Sequence, residues 1–168
     1  MGDFESLLIE NIPRLRRYAR ALMKDKEQAD ELVQDCLERA WSRKHLYRGD
    51  DDIRPWLFTI MHNIHANAAR RYSRAPSLVS LDTVSEREQA PNQYSRLVLR
   101  DLQRRLDEFP DGQRLVVLLI GLEGLSYEET AKVLDVPAGT VMSRLSRARI
   151  KLREVMRGDA SASLRGVK

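Results

Sequence analysis

Residues 125–157 constrain the fold of this chain more than any other stretch. They contain two short amphipathic segments with Pro137 between them. Proline has no backbone N–H and a fixed φ, so it cannot continue the first segment but fits the first turn of the second. Ser126 can cap the first segment, and Glu129 stands three residues later, as a capping box requires. We predict a helix-turn-helix whose second helix begins near Ala138.

The second of these segments is basic on one side. It carries six basic residues and a single acid, Glu154. Its apolar residues recur at spacings of four, three and four, so they should face the first helix. Hydroxyl and guanidinium groups on the other side can meet phosphates and base edges in a major groove. An αα-hairpin with a solvated basic face is the alternative, but capping box, turn proline and one-sided charge together favour DNA binding. The outer residues are Thr140, Ser143, Arg144, Arg147 and Lys151.

The rest of the chain also has helical period. Apolar and polar residues alternate nowhere for long, and β-branched residues do not cluster between turn signals, so we predict no strand. Hydrophobic residues make up 42% of 168 residues. That fraction is enough for modest cores in one domain or two small ones. The predicted fold class is all-α.

Three helices are predicted in the N-terminal part, over residues 3–23, 25–44 and 53–74. Pro13 is expected to bend or interrupt the first of them. The apolar stripe of the second helix should bury Cys36 and Trp41. One of the aspartates that precede Ile53 is expected to cap the third helix. Since Cys36 is the single cysteine, no internal disulfide can form.

The opposite side of the second helix is acidic. This side could be an ordinary solvated face or a docking surface for a basic partner. An acidic helix in a chain of net charge +4 is not expected to contact DNA, so a protein partner is favoured. The acidic residues are Asp25, Glu27, Asp30, Glu31, Asp35 and Glu38.

The outer side of the third helix mixes hydrogen-bonding and cationic groups suited to nucleic acid. His62 and His65 stand three residues apart, but no cysteine or carboxylate joins them at ligand spacing. We therefore expect surface histidines, no metal site and no cofactor. The side chains on this face are Thr59, His62, Asn63, Asn67, Arg70 and Arg71.

Residues 75–91 contain two prolines and three serines and lack a helical stripe, which is typical of a linker. We predict two small helical domains, residues 1–74 and 92–157, joined by this flexible linker. The C-terminal domain should contain helices over 92–109 and 113–123, the latter ended by Gly124, and then the helix-turn-helix. A disordered tail is expected over 158–168. The chain has no run long and apolar enough for a membrane span and no signal peptide pattern, so we expect a cytoplasmic protein.

Three signatures, in the same order, closely resemble the extracytoplasmic-function (ECF) sigma factors of bacterial RNA polymerase. The resemblance covers residues 12–156. ECF sigma factors have two domains joined by a linker, and the three signatures together are far more specific than a lone helix-turn-helix. The signatures are Asp30-Glu31-Leu32-Val33-Gln34-Asp35 with Arg39-Ala40-Trp41, then Arg54-Pro55-Trp56-Leu57-Phe58-Thr59-Ile60 with Asn63, and finally Leu125-Ser126-Tyr127-Glu128-Glu129-Thr130-Ala131 with Pro137-Ala138-Gly139-Thr140-Val141, Ser143-Arg144 and Arg147-Ala148-Arg149.

The resemblance implies a division of labour. The acidic second helix would bind core RNA polymerase, at the clamp helices of its β′ subunit, with further contacts to the β subunit; the residues are Glu31, Gln34, Asp35 and Glu38. The loop after it would hold a flipped base of the minus-10 promoter element; its residues are Tyr47, Arg48, Gly49 and Asp50. The third helix would hold the released strand; its residues are Asn63, Asn67, Arg70 and Arg71. The helix-turn-helix would bind the minus-35 element through Met142, Ser143, Ser146 and Arg147, beside Thr140 and Arg144.

Three departures from the family pattern stand out. Many relatives have Arg or Lys where this chain has Met142, and some have an aromatic residue at Ser146, so the base preference does not carry over. His62 lies within an otherwise matching run and is expected to alter strand contacts. Family members are usually held inactive by an anti-sigma factor, which makes such a protein an expected partner.

Two other function classes compete with this interpretation. A free-standing regulator could dimerise and bind an operator without polymerase, but it would not need the acidic second helix. An enzyme would need a catalytic set, and the sequence offers no Ser/His/Asp arrangement, glycine-rich phosphate loop or metal cluster. We therefore predict a non-enzymatic DNA-binding protein.

Overall fold

A computed structural model describes residues 2–49, 51–74 and 103–165, and every regular element in these ranges is helical. The N-terminal half consists of residues 2–74 and the C-terminal half of residues 103–165. The all-α prediction is confirmed. In chain order the elements are α1 (Gly2–Leu22), α2 (Lys26–Ser42), a 3₁₀ turn (Lys44–Leu46), α3 (Ile53–Arg74), helical residues 103–107, α4 (Asp111–Val117), a π turn (Leu118–Leu122), α5 (Tyr127–Leu134) and α6 (Ala138–Arg165).

Pro13 was predicted to bend or interrupt helix α1, and the interruption is wrong, because the helix runs through Pro13. Proline removes one helical hydrogen bond, but apolar residues on both sides of it are anchored in the core. Leu8 lies before the proline and Leu15 and Leu22 after it, and all three are buried. Helix α1 packs against α2, and this packing together with the buried residues before and after Pro13 keeps the helix continuous.

Helix α2 is capped by Asp25, whose carboxylate accepts from the N–H two residues on, at 2.8 Å. Cys36 is fully buried, as predicted. Trp41 is not: 45% of it is exposed, so the prediction of a buried indole is wrong. The helix ends at the next residue, beyond the core, and the indole packs against Phe4 and under the Lys44 ammonium, 4.6 Å from the ring centre.

Helix α3 begins at Ile53, where the sequence placed it. The Asp52 carboxylate accepts from the backbone N–H of Arg54 at 2.9 Å, which confirms that an aspartate caps this helix. Leu57, Phe58 and Met61 on its inner side are buried, and the Phe58 ring meets the Tyr18 ring edge-on at 5.0 Å. These contacts join α1 and α3 into the core of the N-terminal half.

In the C-terminal half, a single helix was predicted over 113–123, but the structure has α4 followed by a π turn there. The N–H of Glu123 donates to the carbonyl of Leu118 at 3.1 Å, five residues back. A π turn of this kind inserts an extra residue and rotates the later residues around the helix axis. Gly124 then ends the segment with φ +70°, a conformation that favours glycine, so the predicted stop is confirmed. The predicted helix over 92–109 is helical at 103–107; its earlier part and the linker lie outside the described residues.

The helix-turn-helix forms as predicted. The Ser126 hydroxyl accepts from the N–H of Glu129 at 3.1 Å, and the Glu129 carboxylate accepts from the N–H of Ser126 at 2.8 Å. Asp135 takes the left-handed conformation (φ 53°) that closes α5, and α6 starts directly after Pro137. Of the apolar residues of α6 that the spacing placed against α5, three are buried, Val141, Leu145 and Ala148, and Leu152 is half-buried.

Helix α6 continues past Gly158 as far as Arg165, where the sequence predicted a disordered tail. Residues 159–165 contain no proline, and alanine and leucine favour helix. One glycine costs a helix only about 1 kcal/mol relative to alanine, so it does not end α6. Among the described helices, none is both long and apolar enough to cross a membrane.

The two halves contact each other, which the sequence did not predict. Helix α3 of the N-terminal half packs against α5 of the C-terminal half. Buried apolar residues from both halves belong to one contiguous cluster, which runs from α1 to α6. The two domains of the fold are therefore docked on one another in this structure.

The capping box gives a stability prediction. Ser126→Ala removes the acceptor for an N–H of the first turn of α5, so we expect the free energy of unfolding to fall by about 1 kcal/mol. Urea denaturation followed by circular dichroism measures this difference. Ser73→Ala, at an exposed position near the end of α3, is the matched control and should change stability by less than about 0.5 kcal/mol. Equal losses in both variants would contradict the importance of the cap.

Candidate nucleic-acid interface

The acidic side of α2 is free at the surface. All four residues assigned to polymerase binding are exposed. The Gln34 amide donates to the Glu38 carboxylate at 3.0 Å, one helical turn away, and this bond aligns the two side chains. Asp30 on the same helix pairs with Arg20 at 3.7 Å. The structure therefore brings together Glu31, Gln34, Asp35 and Glu38 on one helix face.

The loop between α2 and α3 is held by its own side chains. The Tyr47 hydroxyl donates to the carbonyl of Asp51, and Gly49 has φ +80°, where a side chain would be strained. Partial burial alone would raise the pKa of Asp52, but hydrogen bonds from the Arg54 side chain and backbone lower that pKa on balance. Arg48 is exposed, and the predicted contact residue Asp50 lies outside the described residues.

Aromatic rings gather at the base of this loop. The Tyr47 ring lies 5.7 Å from Trp56 and 5.9 Å from Phe4, and Phe4 lies 6.2 Å from Trp56. Rings of this kind can stack with a nucleic-acid base that has left the duplex. The sequence predicted Tyr47 here but missed Phe4, which precedes the loop by more than forty residues.

A cleft of about 430 Å³ opens beside the rings. Loop residues and Trp56 line one side of it, and two residues of α5, Glu129 and Lys132, line the other. The cleft is thus built from both halves of the chain. Sequence reasoning missed the α5 residues because their proximity depends on how the halves dock.

Four of the six residues predicted on the outer face of α3 are exposed, whereas Thr59 and His62 are half-buried. Asn63 and Asn67 are one turn apart, and Arg70 and Arg71 extend the same face by another turn. All four side chains are exposed. Two amides together with two guanidinium groups give this face hydrogen-bond donors and acceptors next to positive charge, which suits a single strand with its phosphates.

The two histidines of α3 are half-buried, so the prediction of surface histidines is wrong. The Nδ1 atom of His62 is buried without a hydrogen-bond partner in the described part of the protein. Burial lowers the pKa of His62, and His65 and Arg70 lower it further. Burial and then Arg114 of the other half lower the pKa of His65. In the described parts of the chain, no group of three or more His, Cys, Asp or Glu side chains is placed to hold a metal ion.

On α6 the predicted residues divide into two groups. Ser143, Ser146 and Arg147 are exposed, and Met142 is 47% exposed. Thr140 and Arg144 are half-buried. The Arg144 guanidinium lies against α4, so close to Gly112 that a Cβ there would come within 2.9 Å of its central carbon. Arg144 therefore also packs the C-terminal half, a role that helical spacing could not reveal.

Glu123 is the main residue that sequence reasoning missed. Its carboxylate is completely buried, with 0% of the side chain exposed. Arg17 of α1 donates to both carboxylate oxygens, from Nη2 at 3.0 and 3.1 Å and from Nε at 3.2 Å. Arg14, one turn earlier, lies 3.8 Å away. The single acid at the end of the apolar run 115–122 was the available signal, but its partners lie on a distant helix.

Further hydrogen-bonded contacts cross between the halves, among them one from Arg17 Nη2 to the carbonyl of Leu122 at 3.3 Å. Arg54 donates from Nη1 to the carbonyl of Glu123 at 3.1 Å. Gln103 donates from its amide to the carbonyls of Arg20 and Met23, at 2.8 and 3.2 Å. These contacts involve the end of α1 and the start of α3, so the junction touches the N-terminal half at several points.

Comparison with known proteins fixes the family. The family model described as the sigma2 domain of PhyR matches residues 8–62, and that for sigma-70 region 4 matches residues 99–152. The ECF RNA polymerase sigma factor EcfG of Rhodopseudomonas palustris is 30% identical over 154 residues, which cover 92% of this chain and 85% of that protein. The chain belongs to the ECF RNA polymerase sigma factor family. The ECF sigma-E factor of Escherichia coli is 29% identical over 131 residues, 71% of this chain and 69% of its own length.

Solved structures agree with this family assignment. The sigma factor RpoE of Bartonella quintana, in complex with the anti-sigma factor NepR, superposes with a TM-score of 0.80 at 32% identity, covering 94% of this sigma factor and 98% of that chain. CnrH in complex with the cytosolic domain of CnrY gives a TM-score of 0.69 at 27% identity, covering 93% and 88%. The fold of this ECF sigma factor is thus shared over nearly its whole length.

The half-buried histidine gives a pH prediction. The pKa of His62 is lower in the folded than in the unfolded chain. Its contribution to stability is therefore complete above the unfolded pKa of about 6.5 and is lost as the pH falls from there through the lower folded pKa. Glutamine cannot take up this proton, and we expect His62→Gln to lose less stability than the parent between about pH 7.5 and about pH 5.5.

Urea midpoints measured across this pH range test the expectation. His45→Gln is the matched control because His45 is exposed, and it should show the pH dependence of the parent. If His62→Gln and the parent lose stability equally, the protonation of His62 does not oppose folding.

Proposed function

We propose that this ECF sigma factor, a member of group IV of the sigma-70 superfamily, binds core RNA polymerase through α2 and recognises promoter DNA through α3 and α6. The observation that carries the proposal is the separation of charge. One exposed helix face is acidic, and two other exposed faces, on different halves, are basic and polar. A single chain can thus contact a protein and two DNA segments at once.

The face of α2 suits a basic protein surface. Asp35 forms no ion pair with any residue that the structure describes, and Glu38 is aligned by Gln34 rather than neutralised by a cation. Charges that remain exposed in this way are available to a partner, and complementary charge accelerates and orients its approach. In this proposal the partner is the clamp region of the polymerase β′ subunit, and the β subunit contacts the chain elsewhere.

The loop and α3 suit an opened minus-10 element. Extracting a base from the duplex costs a few kcal/mol, so a protein that opens DNA must provide replacement contacts. The aromatic cluster and its cleft can take a base, and the amide and guanidinium groups of α3 can hold the neighbouring strand. Arg48 and Gly49 line the cleft and are assigned to this step.

The exposed residues of α6 suit the major groove of the minus-35 element. Ser143, Ser146 and Arg147 project from the side opposite the buried stripe, where an entering helix meets base edges. Met142 adds an apolar contact at the rim. Because Arg144 is held against α4, we assign to it a supporting contact with phosphate rather than with a base.

An anti-sigma factor is the expected negative regulator. Two related sigma factors of known structure are bound to the anti-sigma factors NepR and CnrY. Both cover more than nine-tenths of this chain, so the surfaces available for such a partner are shared in shape. We propose that a protein of this class covers the polymerase-binding surface of α2 until it is removed.

The polymerase contact predicts a loss of binding on charge reversal. Asp35→Lys with Glu38→Lys replaces two exposed acids by two bases, which should repel a basic partner. We expect the variant to lose holoenzyme formation with core RNA polymerase in gel filtration and to keep its helical circular dichroism spectrum.

The matched control reverses the same amount of charge elsewhere. Glu5→Lys with Glu10→Lys changes two exposed acids of α1 and should leave holoenzyme formation intact. If the α2 variant forms holoenzyme as well as the parent does, this face of α2 does not contact core polymerase. Tight binding of duplex DNA by a symmetric dimer that ignores core polymerase would instead support a free-standing regulator.

The minus-35 contact predicts a loss of DNA affinity. Arg147→Ala removes a guanidinium from the outer side of α6, and we expect binding to a promoter duplex to weaken by roughly ten- to a hundredfold at fixed salt. Arg149→Ala removes the same charge about 200° around the helix and should have a smaller effect. Fluorescence anisotropy with holoenzyme on promoter fragments measures both, and equal affinity of the Arg147 variant and the parent would exclude Arg147 from the contact.

A further inference from the structure

The Glu123 carboxylate stands at the point where the two halves meet. It lies in the C-terminal half, directly after the π turn, and its side chain is fully buried. Its charged partners, Arg14 and Arg17, belong to α1 of the N-terminal half. Among the described residues, it is the one acid of the C-terminal half that forms ion pairs with cations of the N-terminal half.

The Glu123 side of this contact is incomplete without the arginines. A buried carboxylate is tolerated only while donors satisfy it, and Arg17 provides three of the hydrogen bonds. The arginine side chains are about half exposed, so they retain water as an alternative partner. Removing the negative charge should therefore weaken the docking of the halves without emptying a large apolar core.

Both halves also contain buried polar atoms without a hydrogen-bond partner among the described residues. They include the Tyr18 hydroxyl, near Glu123 and Arg114, and the Nε atom of Arg114 itself. Thr130 on α5, the helix that packs against α3, has a buried hydroxyl without a described partner as well. Buried polar groups without hydrogen bonds favour exposure to water. Where separation of the halves would expose such an atom to water, it would favour the open arrangement.

Docking places α5 over a surface that promoter opening would use. Glu129 and Lys132 of α5 line the cleft beside Tyr47 and Trp56. In the docked arrangement these side chains occupy one wall of the space proposed for a flipped base. Movement of α5 away from α3 would open that wall.

The promoter itself is too long for the docked arrangement. Minus-10 and minus-35 elements are separated by about 25 base pairs, which is roughly 85 Å at about 3.4 Å per pair. A compact chain of this length has a radius of gyration of only about 15 Å. The halves must therefore separate before both elements are bound.

We propose that Glu123 is an intramolecular latch, whose buried carboxylate, held by Arg17 and Arg14, keeps the two DNA-binding halves docked until core polymerase separates them. The role of polymerase in this inference rests on the function proposed above, whereas the latch itself does not. The latch makes the free protein a closed form in which the two promoter-binding surfaces cannot act together.

Förster transfer between two labels on the full chain tests the latch. Ser42→Cys on α2 and Glu154→Cys on α6 introduce thiols at exposed positions, one in each half. The native Cys36 thiol stays unlabelled because it is buried and burial raises its pKa to about 12. Glutamine at position 123 keeps the size of the side chain but removes its charge and turns an amide toward the arginines. We expect Glu123→Gln to show lower transfer efficiency than the parent.

Two variants make the result decisive. Glu128→Gln removes the same charge from an exposed position on α5, away from the Glu123 contact, and it should keep the transfer of the parent. If Glu123→Gln loses its helical circular dichroism, Arg17→Gln breaks the same contact from an exposed side chain of α1 and should lower transfer in its place. The latch is overturned if folded Glu123→Gln shows the same transfer efficiency as the parent. Where Arg17→Gln has to be used instead, the same result in that variant overturns the latch.

Titration with core RNA polymerase separates the latch from the proposed function. Binding of polymerase should lower the transfer efficiency of the parent. Glu123→Gln no longer has to open before it binds, so it should bind core polymerase several-fold more tightly than the parent. Equal core affinity of Glu123→Gln and the parent would overturn the claim that docking opposes polymerase. If neither chain binds core while Glu123→Gln still shows reduced transfer, the proposed function fails and the latch stands.

Discussion

A buried carboxylate holds this structure in its docked form. Removing an ion from water costs several kcal/mol, and the cost is recovered only if strong donors remain in place. Arg17 supplies those donors to Glu123 and Arg14 adds positive charge, but both arginines are half exposed, so solvent weakens their contribution. The α3–α5 contact adds apolar burial, while polar atoms without described partners oppose it. The halves therefore stay together through this polar contact and the apolar α3–α5 contact, and loss of the polar contact leaves most of each half's own packing unchanged.

Local chemistry made much of the fold predictable. The capping box at Ser126, the turn at Pro137 and the start of α3 after Asp52 all depend on groups within four residues of one another, so the sequence contains the whole interaction. Helical spacing likewise placed the α2 acids and the α3 amides on exposed faces, because a face is determined by the helix alone. The roles of these faces come from family resemblance and remain predictions.

Longer-range effects explain what the sequence could not reveal. Arg17 and Glu123 are 106 positions apart, and on its own helix Arg17 looks like one of several solvated cations. His62 is half-buried and Arg144 is held against α4 because another element covers them, which a helical wheel cannot show. The predicted burial of Trp41 was wrong for the opposite reason. Trp41 belongs to an apolar stripe, but α2 extends beyond the core before it ends. In each case burial depends on how helices dock.

The placement of the surfaces explains how docking can control DNA binding without destroying it. The amides and arginines of α3 are presented by a helix that packs on α2, and the exposed residues of α6 by a helix that packs on α4 and α5. Each surface is thus shaped within its own half. The cleft beside Trp56 differs, because α5 forms one of its walls. Separation of the halves would therefore preserve both DNA-binding faces and open the cleft. One movement would let the two faces move apart along the promoter and would let a base enter the cleft.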